Sequence, residues 1–181
     1  MSSKPLNILI LCTANSARSI LSEALAAHLG GSRVRAYSAG SHPRGEPNPA
    51  ALALIARKGL DASTLRSKSW DEFSEPGAPV MDLVITVCDN AAGESCPLWP
   101  GAPLKAHWGI ADPAGDSRSP AETEAAFETA WDLLSLRFQA LMALPFETLP
   151  RAQFQAKLDA IGALSGATDL AHSGATQERS S

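Results

Sequence analysis

The apolar run Leu6, Ile8, Leu9, Ile10 and Leu11 ends in Cys12-Thr-Ala-Asn-Ser-Ala-Arg18-Ser19 and passes at once into an i, i+3, i+4 pattern of apolar residues. A short run that is apolar at successive positions reads as a strand buried on both faces; Ala17, Ile20, Leu21, Ala24, Leu25 and His28 then mark one face of a helix. Arg33 to Ala39 supplies a second strand, which closes a strand–helix–strand unit of the usual right-handed kind. A chain that begins this way is committed to an α/β fold, with ligands at the carboxyl ends of its strands.

The turn between strand and helix has a chemistry of its own. Backbone N–H groups at a helix start lack intrahelical partners, so those of Thr13, Ala14, Asn15, Ser16, Ala17 and Arg18 can converge on an anion, with the helix dipole adding to the attraction. Arg18 offers a planar fork for two oxygens. Cys12 lies in the same field, and its thiol, with an ordinary pKa of about 8.5, is expected to be lowered by the helix terminus, Arg18 and the Ser19 hydroxyl. Asn15 tolerates left-handed backbone and can tie strands of backbone together through its amide, a supporting role.

Further along, Asn48 and Pro49 provide an N-cap and first helical residue, with Leu52, Ile55 and Ala56 inward and Gly59 as the stop. The polar stretch from Asp61 to Pro79, containing Trp70 and Phe73, holds a short helix and loops. Met81 to Val87 is a third, central strand and Leu104 to Ile110 a shorter fourth. Ser119-Pro120-Ala121-Glu122 has the form of a capping box that opens a long helix, its inner face carrying Phe127, Ala130, Trp131, Leu134, Phe138, Leu141 and Met142. Arg151 to Leu164 reads as a weaker terminal helix. The expected architecture is a four-stranded parallel sheet with helices on both faces, in one domain over residues 1–164. The Ser/Gly/Ala/Thr/Gln mixture of residues 165–181 has little to bury and reads as a disordered tail.

With 45% hydrophobic and 19% charged residues, 181 residues are enough for one core. No stretch approaches the roughly 20 uninterrupted apolar residues of a membrane span, and the first residues lack a signal-peptide layout, so a cytoplasmic protein without a membrane partner is expected. A net charge of −4 argues against general nucleic-acid binding.

Cys12, Cys88 and Cys96 are too few for a disulfide scaffold and odd in number, which argues for a free, chemically used thiol. A helical segment between Cys88 and Cys96 would hold them about 12 Å apart, beyond the roughly 7 Å that a disulfide spans; Ala91-Ala92-Gly93 is a composition that could let the segment fold back. A buried, inert Cys88 is the alternative. Zinc, held by these cysteines and His107, is disfavoured because no Cys-x-x-Cys pair exists, and no metal is expected. Asp112 precedes Pro113, which keeps it out of the helical region and able to point across a cleft as a general acid, although a simple turn aspartate has the same pattern. Cys12, Cys88 and Asp112 each follow a predicted strand and should meet at one sheet edge. His28, His42 and His172 have no cysteine or carboxylate close in sequence and are assigned no catalysis.

Cys12-Thr-Ala-Asn-Ser-Ala-Arg18-Ser19, Val84-Ile-Thr-Val-Cys88-Asp, Cys96-Pro97, and His107-Trp108-Gly109 leading to Asp112-Pro113-Ala114 resemble, in order, the motifs of the arsenate reductases built on the low-molecular-weight tyrosine phosphatase fold, from about Leu6 to Leu144. In the phosphatases of that fold the Asp-Pro pair is typically followed by tyrosine, whereas Ala114 follows here. The resemblance implies a relay: Cys12 attacks arsenate, Asp112 aids departure of an oxygen, Cys88 attacks the sulfur of Cys12 to release arsenite, and Cys96 attacks Cys88. It implies no bound cofactor, an external thiol reductant (thioredoxin, or glutathione with glutaredoxin), and phosphate or sulfate as substrate mimics. Some relatives hold potassium behind the loop with residues matching Asn15, Glu23 and Ser38, but an aspartate expected nearby is replaced by Ser67-Lys68-Ser69, so that ion is not expected. A tyrosine phosphatase and a non-catalytic oxyanion or metalloid sensor are the competing functions.

Overall fold

The computed structural model describes residues 4–95, 97–115 and 118–172. Four strands, β1 (Leu6–Cys12), β2 (Val34–Gly40), β3 (Leu83–Thr86) and β4 (Leu104–His107), form a wholly parallel sheet in the order β2-β1-β3-β4. The chain moves from β1 to one side and then returns to the other, so the crevice where the order reverses lies at the carboxyl end of β1. The turn after Cys12 occupies that crevice.

Both faces of the sheet are covered, but unequally. Ile8, Ile10, Leu83 and Ile85 point into the larger core with α1 (Arg18–Gly30), α2 (Pro49–Arg57), α4 (Pro120–Met142) and α5 (Arg151–Gly162). The alternate residues Leu9, Leu11 and Val84 meet Trp70, Phe73, Met81 and Trp99, so a one-turn 3-10 helix at Trp70–Phe73 and the loops beside it cover the second face. This period-2 division is what buries every residue of β1 from Asn7 to Cys12. All four tryptophans are packing residues, none more than 9% exposed.

The capping signals work as the sequence predicts. The Asn48 side chain accepts from Ala50 N–H at 2.8 Å ahead of Pro49, and Ser119 Oγ accepts from Glu122 N–H at 3.2 Å while donating to its carboxylate at 3.1 Å. Some faces differ. In α1, His28 is exposed; in α2, Ala51, Leu54 and Ile55 are buried while Leu52 is half-buried and Ala56 exposed. In α4, Arg137 joins the apolar face, fully buried, and donates to the carbonyls of Leu133, Leu164 and Ser165. It ties α4 to the chain just past α5, supplying donors to carbonyls that lie beyond the helix.

The stretch after Leu164 also packs. Ala167 bridges Ile110, Thr168 donates to Asp89 Oδ1 at 2.7 Å, and Ala171 is buried. The expected tail from Ser165 therefore has surface to bury as far as His172; residues 173–181 lie outside the described part. No described helix is long and apolar enough to cross a membrane.

Candidate active site

The turn after β1 is built so that its carbonyls face outward. Those of Thr13, Ala14 and Ser16 accept from the N–H groups of His42, Arg44 and Asn48 at 2.9, 3.0 and 2.8 Å. No backbone N–H of Thr13–Ala17 donates to another described residue, which leaves those donors for a ligand. Two features force the shape. Asn15 adopts φ 45°. Gly40, at the end of β2, lies so close that a Cβ there would collide with the Thr13 carbonyl oxygen and stand 2.9 Å from Asn15 N.

Asn15 is fully buried and fixes the turn from inside. Its Oδ1 accepts from Lys68 N–H at 2.9 Å, which identifies the oxygen, since a backbone N–H only donates. Its Nδ2 therefore donates to Ser19 Oγ at 2.8 Å and Ser38 Oγ at 3.0 Å. Ser19 Oγ lies 2.8 Å from Cys12 Sγ. With its oxygen already accepting from Asn15, the Ser19 hydroxyl turns its own proton toward the sulfur.

The thiol of Cys12 nevertheless departs from expectation. Burial pushes it up; the Ser19 hydroxyl and N–H and the Arg18 charge pull it down, Cys88 pushes further up, and the net direction is upward. The sequence shows the helix terminus and Arg18 but not that the sulfur is almost wholly withdrawn from water. Arg18 is also turned partly away: Nη1 donates to the Ile110 carbonyl at 2.8 Å and Nη2 stands 3.7 Å from Asp112 Oδ2.

Cys12, Thr13, Ala14, Ser16, Ala17, Arg18, Cys88 and Asp112 line one cavity of about 180 Å³. Three strand ends meet there as predicted. Cys88 ends the β3 segment and caps the short helix α3 (Asp89–Gly93), its sulfur accepting from Ala91 N–H at 3.4 Å and lying 3.7 Å from Thr13 Oγ1. Asp112 is half exposed; its Oδ1 accepts from Ala114 N–H at 2.9 Å in the expected turn and its Oδ2 faces Arg18. Cys96 lies outside the described residues. Arg44 and Asn90 also line the cavity and were not singled out from sequence; each follows a strand end, the position that topology marks for ligand contact.

Behind the turn, Lys68 Nζ stands 3.8 Å from Glu23 Oε1 and donates to the Arg66 carbonyl at 3.0 Å. Burial pushes Lys68 down, opposed by Glu23, and pushes Glu23 up, opposed by Lys68. Asn15 presents N–H rather than oxygen to Ser38, and a buried ammonium already faces Glu23, so this donor set does not fit a potassium ion.

Comparison with known proteins agrees with this geometry. The chain is 35% identical over 132 residues to an arsenate reductase of Bacillus subtilis, an alignment covering 73% of this chain and 91% of that protein. Among solved structures, an arsenate reductase from Archaeoglobus fulgidus aligns at 26% identity and a TM-score of 0.59, over 76% of this chain and 99% of that one. A thioredoxin-dependent arsenate reductase of Corynebacterium glutamicum aligns at 26% identity and 0.51, over 77% and 64%. The family model for low molecular weight phosphotyrosine protein phosphatases matches residues 7–156. A family model that spans most of the chain, with relatives at this identity, decides the assignment: this chain belongs to the low molecular weight phosphotyrosine protein phosphatase family.

Proposed function

We propose that the protein is a cytoplasmic arsenate reductase that works through a thiol–arsenate adduct on Cys12 and a disulfide relay begun by Cys88. One observation carries this reading: a second thiol, Cys88, faces the same small cavity as Cys12, beside the Thr13 hydroxyl. Phosphoester hydrolysis consumes no electrons and has no use for it. The relatives named above as arsenate reductases, and Ala114 in place of an aromatic residue after Asp112-Pro113, support the same choice.

Arsenate enters the turn of free N–H groups, where Arg18 leaves Ile110 and Asp112 to bind two of its oxygens and Arg44 adds charge at the rim. The Cys12 sulfur attacks arsenic, and the displaced oxygen departs as water, taking up the thiol proton and a proton from Asp112. Cys88 then attacks the sulfur of Cys12. The S–S bond forms as the S–As bond breaks, the bonding pair stays on arsenic, and arsenite leaves. Cys96 attacks Cys88 in turn and passes the disulfide to a segment that thioredoxin, or glutathione with glutaredoxin, reduces. No metal or bound cofactor enters these steps.

The test is thiol-dependent arsenite production with aryl-phosphate hydrolysis measured alongside. Wild type is expected to make arsenite with negligible hydrolysis, and Cys88→Ser to retain the first step while releasing no arsenite. Mass spectrometry of one turnover is expected to trap Cys12–Cys88 and then Cys88–Cys96. Efficient aryl-phosphate hydrolysis that survives in Cys88→Ser assigns a phosphatase instead, and oxyanion binding with no turnover assigns a sensor.

A further inference from the structure

We infer that Glu94 takes the proton of Cys88 through the hydroxyl of Thr13, and so sets the rate of the second step. The inference rests on the relay proposed above and adds to it a residue outside the oxyanion cavity. Thr13 Oγ1 donates to Glu94 Oε1 at 3.1 Å. A hydroxyl has one proton, so toward Cys88 Sγ, 3.7 Å away, Thr13 can only accept. The Cys88 S–H therefore points at Thr13, while the same sulfur accepts from Ala91 N–H at 3.4 Å. The result is a continuous line from thiol to hydroxyl to carboxylate, with an N–H already placed to stabilise the sulfur once it has lost its proton.

The step balances. The Cys88 proton moves to Thr13 Oγ1 as the Thr13 proton moves to Glu94 Oε1, so the hydroxyl ends neutral. The freed sulfur pair forms the bond to Cys12 Sγ, the S–As pair remains on arsenic, and As(V) becomes As(III). Glu94 then returns its proton to water through a side chain that is 25% exposed. Among the described residues, its titratable neighbours include His42, whose Nδ1 lies 4.0 Å from Glu94 Oε2, and Lys105, His107 and Asp159, which share with Glu94 a cavity of about 410 Å³. Arg44 and Arg18 lie on the oxyanion side of Thr13. Glu94 alone among them is bonded to Thr13 Oγ1. It acts through Thr13 and is a positioning residue for the proton, not one that touches arsenic.

The test is rapid-quench single turnover of the full chain with saturating arsenate from about pH 6 to 9, reading arsenite and the Cys12–Cys88 disulfide. Wild type is expected to react at a nearly level rate. Glu94→Gln is expected to be about 100-fold slower at the acid end, to gain about tenfold per pH unit because only spontaneously formed thiolate reacts, and to converge on wild type in alkali. Glu94→Asp restores the level profile, and Thr13→Val/Glu94→Gln is no slower than Thr13→Val alone. An unchanged rate in Glu94→Gln, or one lowered in parallel at every pH, overturns the inference and leaves the relay standing. A wild-type protein that forms neither arsenite nor the Cys12–Cys88 disulfide overturns both.

Discussion

Asn15 Nδ2 donates to Ser19 Oγ at 2.8 Å, and this bond decides which way the serine proton points. Because the oxygen of Asn15 is taken by Lys68 N–H, the amide cannot flip, and Ser19 is left as a donor to Cys12. Ser19→Ala removes the only hydroxyl on that sulfur among its described partners. Alkylation of Cys12 by iodoacetamide near neutral pH is expected to slow about tenfold, the size of one hydrogen bond to a charged group. Peptide mapping by mass spectrometry reads it; an unchanged rate would mean that Ser19 does not govern the thiol.

The buried Cys12 also ties stability to alkali. Its thiol holds a proton more tightly in the folded chain than in the unfolded one. The stabilisation is therefore complete below the ordinary thiol range and is lost as pH rises through the folded value. Melting temperature should fall with rising pH above about 9, and the fall should be shallower in Cys12→Ser.

Gly40→Ala tests how closely the turn is backed by β2. The added methyl has no flexible neighbour to displace, since it meets the Thr13 carbonyl and Asn15 N. A loss of about 1–3 kcal/mol is expected. Phosphate or arsenate affinity by calorimetry should fall more than the stability, because the displaced atoms belong to the anion-binding turn itself.

Arg137→Met keeps the stem and removes the guanidinium. The Ser165 carbonyl loses the donor that Arg137 gives it while the Leu164 carbonyl falls back on Ala167 N–H, and urea denaturation should show a loss of about 1–3 kcal/mol. Phosphate or arsenate affinity, set by the Cys12–Arg18 turn that Arg137 does not touch, should fall by less than the stability does.

Much of this was legible in the chain because its physics is local. The strand–turn–helix at Cys12, the caps at Asn48 and Ser119, and the left-handed Asn15 follow from a few adjacent residues. What was not legible depends on distant partners. Arg137 carries a charge, so periodicity alone reads it as solvated, and only the chain just past α5 supplies a reason to bury it. The second face of the sheet is covered by residues from two separate connections, 58–82 and 94–103, and no single window shows them converging. The rise in the Cys12 thiol reflects how completely the surrounding chain excludes water. Glu94 and Arg44 belong to segments distant in sequence that meet Thr13 and Ala14 only through the tertiary fold.

Lys68 carries the last consequence. An ammonium covalently attached to the chain travels with the protein into every buffer, whereas a bound alkali ion equilibrates with its surroundings. Turnover should then depend on total ionic strength and be indifferent to an exchange of potassium for sodium at fixed concentration. Lys68→Met, by stripping Glu23 of its counter-charge, should create a sensitivity to the salt chosen that the parent protein lacks.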